Sequence, residues 1–260
     1  MKHQAKKRFG QNFLVDPYII NRIIDAGEFK QDNNVTEIGP GLGALTKLLL
    51  AKLKHLNVIE IDKDVIPYLH EIDNNNQINI LNQDALKTDY SQLINTTVST
   101  QNKLIGNLPY NISTPLLIHL MQYTHLFESM IFMLQKEVID RLCASPNNKT
   151  YGRLSVIISY FCHIEHIINV PPSAFKPQPK VDSAVIRLKP KKNRLKLEDY
   201  HIFERVVFHA FQQRRKTISN SLKLFLNADD FKQVNINPKL RAENLELESF
   251  VAISNYVANL

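Results

Sequence analysis

The chain has 260 residues, 44 % of them hydrophobic, which is enough for a substantial core. No apolar run reaches the roughly 18 residues of a membrane span, and the basic first ten residues are not followed by the apolar stretch of a secretory signal. The net charge of +7 is uneven: residues 1–10 hold four bases and no acid, residues 187–223 hold eleven bases against three acids, and the remainder is acidic. That distribution fits a polyanionic partner. Cys143 and Cys162 have neither metal-ligand spacing nor a disulfide framework, so two buried thiols in a reducing cytoplasm are expected.

Asp16-Pro17 reads as the cap and first residue of a helix running through Ile24, with Gly27 ending it. A repeating unit follows. Val35 to Ile38 is a strand leading into Gly39-Pro40-Gly41-Leu42-Gly43, then a helix over 44–53. Leu56 to Ile61 is a second strand with a helix over 63–71, and Ile78 to Leu81 a third, leading to Asp84. Lys103 to Ile105 is a fourth, leading to Asn107-Leu108-Pro109-Tyr110, and Ser113-Thr114-Pro115 caps the next helix. Met130 to Leu134 is a fifth strand with a helix over 136–143. A helix over 151–161, a strand over 163–170 and a proline-fixed loop at 171–179 come next. Val181 to Leu188 alternates as an antiparallel edge strand. Beyond Pro190 a basic link enters a helical region, so domains are expected at 1–190 and 191–260.

Alternating strands and helices argue for a parallel sheet covered on both faces. Glu37, Glu60, Asp84 and Asn107 end successive strands at intervals of 23, 24 and 23 residues. With right-handed crossovers, all four should line the carboxyl edge, where such sheets bind ligands. The glycines 39, 41 and 43 let a ligand approach the backbone, and Glu60 suits a ribose diol. This also fits a dinucleotide fingerprint. However, Glu37 would repel a pyrophosphate and attract a cationic methionine moiety, while Asp84 can accept from an adenine amine. S-adenosylmethionine suits this edge better than NAD. Asn107 and the carbonyl of Leu108 or Pro109 can accept from a flat amine-bearing ring, and Tyr110 can stack on it.

These segments resemble the ribosomal RNA adenine dimethyltransferase family, in particular its bacterial small-subunit branch. The likeness rests on Lys7 to Leu14, Glu37 to Thr46, Ile59 to Asp62, Gln83 to Ala85 and Gly106 to Pro115. It continues through Leu134 to Glu137, Tyr151 to Ser155, Ala174 to Val185 and Gln213 to Leu222. The resemblance implies a Rossmann-like class I methyltransferase: a seven-stranded, mostly parallel sheet with an antiparallel edge strand, plus a small C-terminal helical domain. It implies a cofactor site of Asn12, Leu14, Glu37, Gly39, Gly41, Glu60, Ile61, Asp84, Ala85 and Asn107, and catalytic residues Asn107, Leu108, Pro109 and Tyr110. Phe175 is expected to stack on the base face opposite Tyr110. Arg8, Arg214, Arg215, Lys216 and Lys223 are expected to grip RNA phosphates. Two adjacent adenines in the 3′-terminal hairpin loop of 16S rRNA would be the substrate, within a pre-30S particle, with the protein monomeric. A large-subunit methylase of the macrolide-resistance type, an assembly factor acting mainly by binding, and an NAD oxidoreductase are the competing readings. No metal site is expected.

Overall fold

The computed structural model describes residues 11–94 and 101–260. Two compact units emerge: residues 1–139 with 163–190, and residues 140–162 with 191–260. The expected break near residue 190 is therefore one of three. Residues 140–162 leave the first stretch because the buried face of the helix over 153–161 pairs with a helix beyond residue 200; Tyr160 and Phe203 ring centres lie 5.2 Å apart.

The first unit begins with a two-residue strand, β1 (Phe13–Leu14), and helix α1 (Pro17–Ala26). Asp16 caps α1 by accepting from the Tyr18 and Ile19 amides, which supplies partners for two otherwise orphaned helix donors. Then come β2 (Asn34–Ile38), α2 (Thr46–Leu50), β3 (Leu56–Ile59), α3 (Ile66–Ile72), β4 (Ile78–Leu81), β5 (Asn102–Asn107), α4 (Ser113–Met121), β6 (Ser129–Gln135) and α5 (Lys136–Leu142). Helix α6 (Arg153–Phe161) precedes β7 (Cys162–Val170), β8 (Phe175–Lys176) and β9 (Ser183–Pro190). Helix α2 is shorter than expected. Gly39, Gly41 and Gly43 all have positive φ (67°, 54° and 80°), so the chain turns until Leu45 before a helix can start.

The main sheet has seven strands in the order β4-β3-β2-β5-β6-β9-β7. Pairings from β4 through β6 are parallel, and β9 runs antiparallel to β6. The antiparallel strand is thus inside the sheet, and β7 is the edge. Strands β2 and β5, adjacent in space, stand where the order reverses, which opens a crevice beyond their carboxyl ends. Gly106 makes that approach possible: a Cβ there would sit 2.6 Å from the Ile38 carbonyl oxygen. The strands of the parallel half are also tied near their amino ends by amides. Asn79 donates to Asn57 (2.9 Å), Asn57 to Asn34 (3.0 Å) and Asn34 to Asn102 (2.8 Å). On one face, Val35, Val58, Ile105, Ile131, Met133 and Val185 form a core with Ile19, Ile23 and Ile24 of α1.

The second unit is helical: α6, α7 (Tyr200–Gln212), α8 (Ile218–Ser221), α9 (Asp230–Gln233) and α10 (Leu247–Ala258). Phe203, Val206, Val207 and Ala210 form the buried stripe of α7 at helical spacing, and Phe211 stacks on Phe250 at 5.6 Å. Among the described residues no helix is long and apolar enough to cross a membrane.

Candidate active site

Beyond the carboxyl ends of β2, β3, β4 and β5 lies a cavity of about 500 Å³. Its wall is built from the strand ends, the glycine turn and the segment leading into β1. All ten residues expected to hold a cofactor contribute to it, as do Leu108, Pro109 and Tyr110. The expected alignment of the four polar residues needs one correction. Glu37 pairs with Val58 and Ile105, two residues short of Glu60 and Asn107. At about 3.3 Å per residue it lies roughly 7 Å deeper in the sheet, because the chain continues through Ile38 before the turn.

That depth governs its chemistry. Glu37 is 1 % exposed, and its Oε2 accepts the Thr46 hydroxyl at 2.7 Å. Burial pushes its carboxyl up to about 8; the Thr46 hydrogen bond opposes this, and the neighbouring Glu60 carboxylate adds to it. Glu60, just past β3, is also raised by burial, although backbone N–H groups of Asp62, Gly41 and Ile61 hold its charged form. The Asp62 amide is 2.7 Å from Glu60 Oε1. Asp84 accepts the Leu86 amide at 2.9 Å, closing the turn after β4. Behind that turn the buried Tyr90 hydroxyl donates to the Ala85 carbonyl at 3.1 Å and packs against His119 and Tyr123.

Asn107 ends β5, and its Nδ2 donates to the Asn12 carbonyl at 3.1 Å. Because the amide is planar, anchoring the donor fixes the Oδ1 acceptor on the other fork. The Leu108 amide donates to the Met133 carbonyl (3.2 Å) and the Ile112 amide to the Pro109 carbonyl (3.1 Å), so neighbouring backbone holds the tetrad rigid. Tyr110 is half-buried; its hydroxyl lies 2.7 Å from Ser183 Oγ, and burial raises its pKa.

Phe175 departs from expectation. Its ring is 0 % exposed, belongs to the core cluster with Leu14 and Val170, and is absent from the cavity wall. Pairing of β8 with β1 turns it inward, opposite Leu14, so it offers no face for stacking. Sequence reasoning also passed over Thr46, Asp62 and Gln11. The signals were a hydroxyl at a helix start, an acid two residues past Glu60, and an amide next to Asn12. Gln11 donates to Asp62 Oδ2 at 2.9 Å.

Of the expected phosphate contacts, Arg8 lies outside the described residues. Arg215, Lys216 and Lys223 are exposed in the second unit. Arg214 is partly committed within that unit, donating to the Lys149 carbonyl at 2.6 Å and the Tyr151 carbonyl at 3.2 Å, with Glu243 at 3.5 Å. Among the described residues no group of three or more His, Cys, Asp and Glu could hold a metal ion.

Comparison with known proteins agrees with this geometry. The model of the family described as ribosomal RNA adenine dimethylase matches residues 2–259. A Psychromonas ingrahamii protein, ribosomal RNA small subunit methyltransferase A, is 48 % identical over 99 % of this chain and 96 % of its own length. A protein of the same name from Neisseria meningitidis is 47 % identical over 99 % of this chain and 98 % of its own. Among solved structures, a dimethyladenosine transferase from Plasmodium falciparum superposes with a TM-score of 0.76 at 26 % identity, covering 93 % of this chain and 95 % of its own. The 23S rRNA methyltransferase ErmE shares the fold, with a TM-score of 0.66 at 23 % identity over 95 % of this chain and 100 % of its own. With its glycine turn, three carboxylates and Asn-Leu-Pro-Tyr tetrad on one cavity, this chain belongs to the ribosomal RNA adenine dimethylase family.

Proposed function

We propose that this protein transfers methyl groups from S-adenosylmethionine to the N6 amine of adenine in small-subunit ribosomal RNA. The observation that carries this reading is the sharing of one cavity by Asn107 with Glu60 and Asp84. The names of the full-length relatives support the small subunit as the target. The finer substrate is two adjacent adenines of the 3′-terminal hairpin loop, each dimethylated in a pre-30S particle by a monomer in the cytoplasm. Those details follow from the family likeness.

The donor set fits the cofactor. Positive-φ glycines at 39 and 41 bare the backbone, Glu60 has the two acceptors a vicinal diol needs, and Asp84 can accept from a ring amine. The carboxylates of Glu60 and Asp84 would repel a pyrophosphate, and a sulfonium close to the deep Glu37 would favour its ionised form over the protonated one that burial imposes. When bound, S-adenosylmethionine supplies an electrophilic methyl group on a sulfonium. The rest is done by this chain. The exocyclic amine of adenine is a weak nucleophile because its lone pair is delocalised into the ring. Asn107 Oδ1 and the Leu108 carbonyl accept hydrogen bonds from its two N–H groups and favour a tetrahedral nitrogen with its lone pair free to attack; once methylated, the nitrogen sheds one proton to solvent. The Pro109 carbonyl already accepts the Ile112 amide at 3.1 Å, which leaves it one lone pair and makes the Leu108 carbonyl the favoured second acceptor. Tyr110 stacks against the ring and offsets part of the few kcal/mol needed to unstack the base. Positioning of this kind can supply roughly 7–11 kcal/mol, and no nucleophilic side chain is required. Basic residues of the second unit hold RNA phosphates.

The test is incubation with labelled S-adenosylmethionine and unmethylated small or large ribosomal subunits, followed by digestion of the RNA to nucleosides. Labelled dimethyladenosine from small-subunit RNA is expected. Label confined to large-subunit RNA would transfer the assignment there. Tight particle binding without label would make the protein an assembly factor.

A further inference from the structure

Residues 11–15 tie together two parts of the cavity that act at different stages of the reaction. Gln11 Nε2 donates to Asp62 Oδ2 at 2.9 Å. Asp62, 2 % exposed, uses its own amide to hold Glu60 Oε1 at 2.7 Å, and its Oδ1 accepts the Asp64 amide at 3.2 Å. One residue along, the Asn12 carbonyl accepts a hydrogen bond from Asn107 Nδ2 at 3.1 Å. The Val15 amide then donates to the Ala174 carbonyl at 2.8 Å, and β1 pairs with β8. Phe13 packs over the turn, such that a Cβ on Gly41 would lie 3.1 Å from its ring. The segment is therefore pinned at both ends, and between the pins it holds the orientation of Asn107.

We propose that Gln11 is a positioning residue for methyl transfer: by fixing the segment to Asp62 it keeps the Asn12 carbonyl on Asn107 Nδ2 and so keeps Asn107 Oδ1 turned toward the target amine. The proposal rests on the role given to Asn107 above. The physical argument is that an asparagine amide can rotate by half a turn with little change in shape, exchanging an acceptor for a donor. A donor facing the adenine amine would oppose it. A fixed acceptor on the other fork opposes the exchange, and here that acceptor is backbone on a segment that Gln11 helps to secure to Asp62. The same segment borders the cofactor-side carboxylate network, so that network and the acceptor geometry are assembled together.

The experiment compares wild type, Gln11→Ala and Gln11→Lys, which keeps an N–H donor for Asp62, with saturating S-adenosylmethionine and small-subunit substrate. For Gln11→Ala we expect kcat to fall about ten- to a hundredfold, as sub-ångström misplacement of a reacting group does. The melting temperature should be unchanged, and Gln11→Lys should recover most of the rate. A second readout needs no turnover: the side-chain amide protons of Asn107, assigned by their loss in Asn107→Asp, should exchange with solvent at least about tenfold faster in Gln11→Ala. An unchanged kcat at saturation, or a rise confined to KM for S-adenosylmethionine, would overturn the proposal, as would unaltered exchange at Asn107. Absence of activity in the wild type would instead refute the proposed function, and the exchange measurement would still decide the role of Gln11.

Discussion

At the scale of residues, Glu37 and Asn107 carry the two sharpest expectations. Burial raises the Glu37 carboxyl from an ordinary 4.5 to about 8. Between those values the folded chain binds more protons than the unfolded one, so stability falls as pH rises through the window and levels off above it. Glu37→Gln removes the titration while keeping an acceptor for Thr46. Thermal melts from about pH 5 to about pH 9 should show the wild type losing ground relative to this variant; parallel curves would mean that Glu37 ionises normally. For Asn107, replacement by alanine should abolish methyl transfer while calorimetry still detects S-adenosylmethionine binding. Loss of both together would make Asn107 chiefly a binding residue. Asn107, Glu60 and Asp84 were legible in the sequence because side chains at strand ends repeat with the length of a strand and its crossover helix. The depth of Glu37 was not, since it depends on how many residues separate a strand's last pair from its turn.

At the scale of elements, the approach of β2 to β5 is a backbone constraint. Gly106→Ala places a methyl group against the Ile38 carbonyl oxygen at 2.6 Å, a backbone atom that cannot swing aside. Overpacking of this kind costs roughly 1–3 kcal/mol, measurable by denaturant unfolding, and a variant as stable as wild type would show that the strands can part there. The β1–β8 pairing makes a second case. Phe175 is expected to matter for stability: Phe175→Ala should cost roughly 3–5 kcal/mol through the cavity it leaves. Tyr110→Ala, in a partly open position, should instead weaken RNA turnover with a small change in stability. If Phe175→Ala folds normally and fails only in turnover, the ring must reach the base after all. Neither two-residue strand was legible, because the periodic signal needs more residues than either contains. The sequence therefore suggests a stacking role for Phe175, whereas its ring is an anchor of the core.

At the scale of the whole molecule, charge is the leading consideration. The first unit carries the cavity and its carboxyl groups, while exposed Arg215, Lys216 and Lys223 belong to the second. Reversing Arg215 and Lys216 to glutamate should weaken RNA binding and flatten its dependence on salt, because each lost phosphate contact removes about 0.7–0.9 from the slope. An unchanged slope would exclude both from the RNA surface. Arg214 is a poorer probe, since its bonds to the Lys149 and Tyr151 carbonyls confound binding with folding. The alternation of strands and helices made the first unit's architecture readable from sequence. The membership of residues 140–162 in the second unit was not, because it is decided by contacts such as Tyr160 with Phe203 between segments distant along the chain.

The amide chain from Asn79 through Asn57 and Asn34 to Asn102 stands at the opposite end of the strands from the chemistry. A strand is nearly inextensible, so whatever sets its position at one end sets it at the other. Slipping any strand by one residue would point its asparagine to the other face and leave a polar group without its neighbour. The four asparagines thus act as a gauge block. They fix how far Glu37, Glu60, Asp84 and Asn107 protrude into the crevice, and the tolerance of the reacting geometry is established about a strand's length away from it.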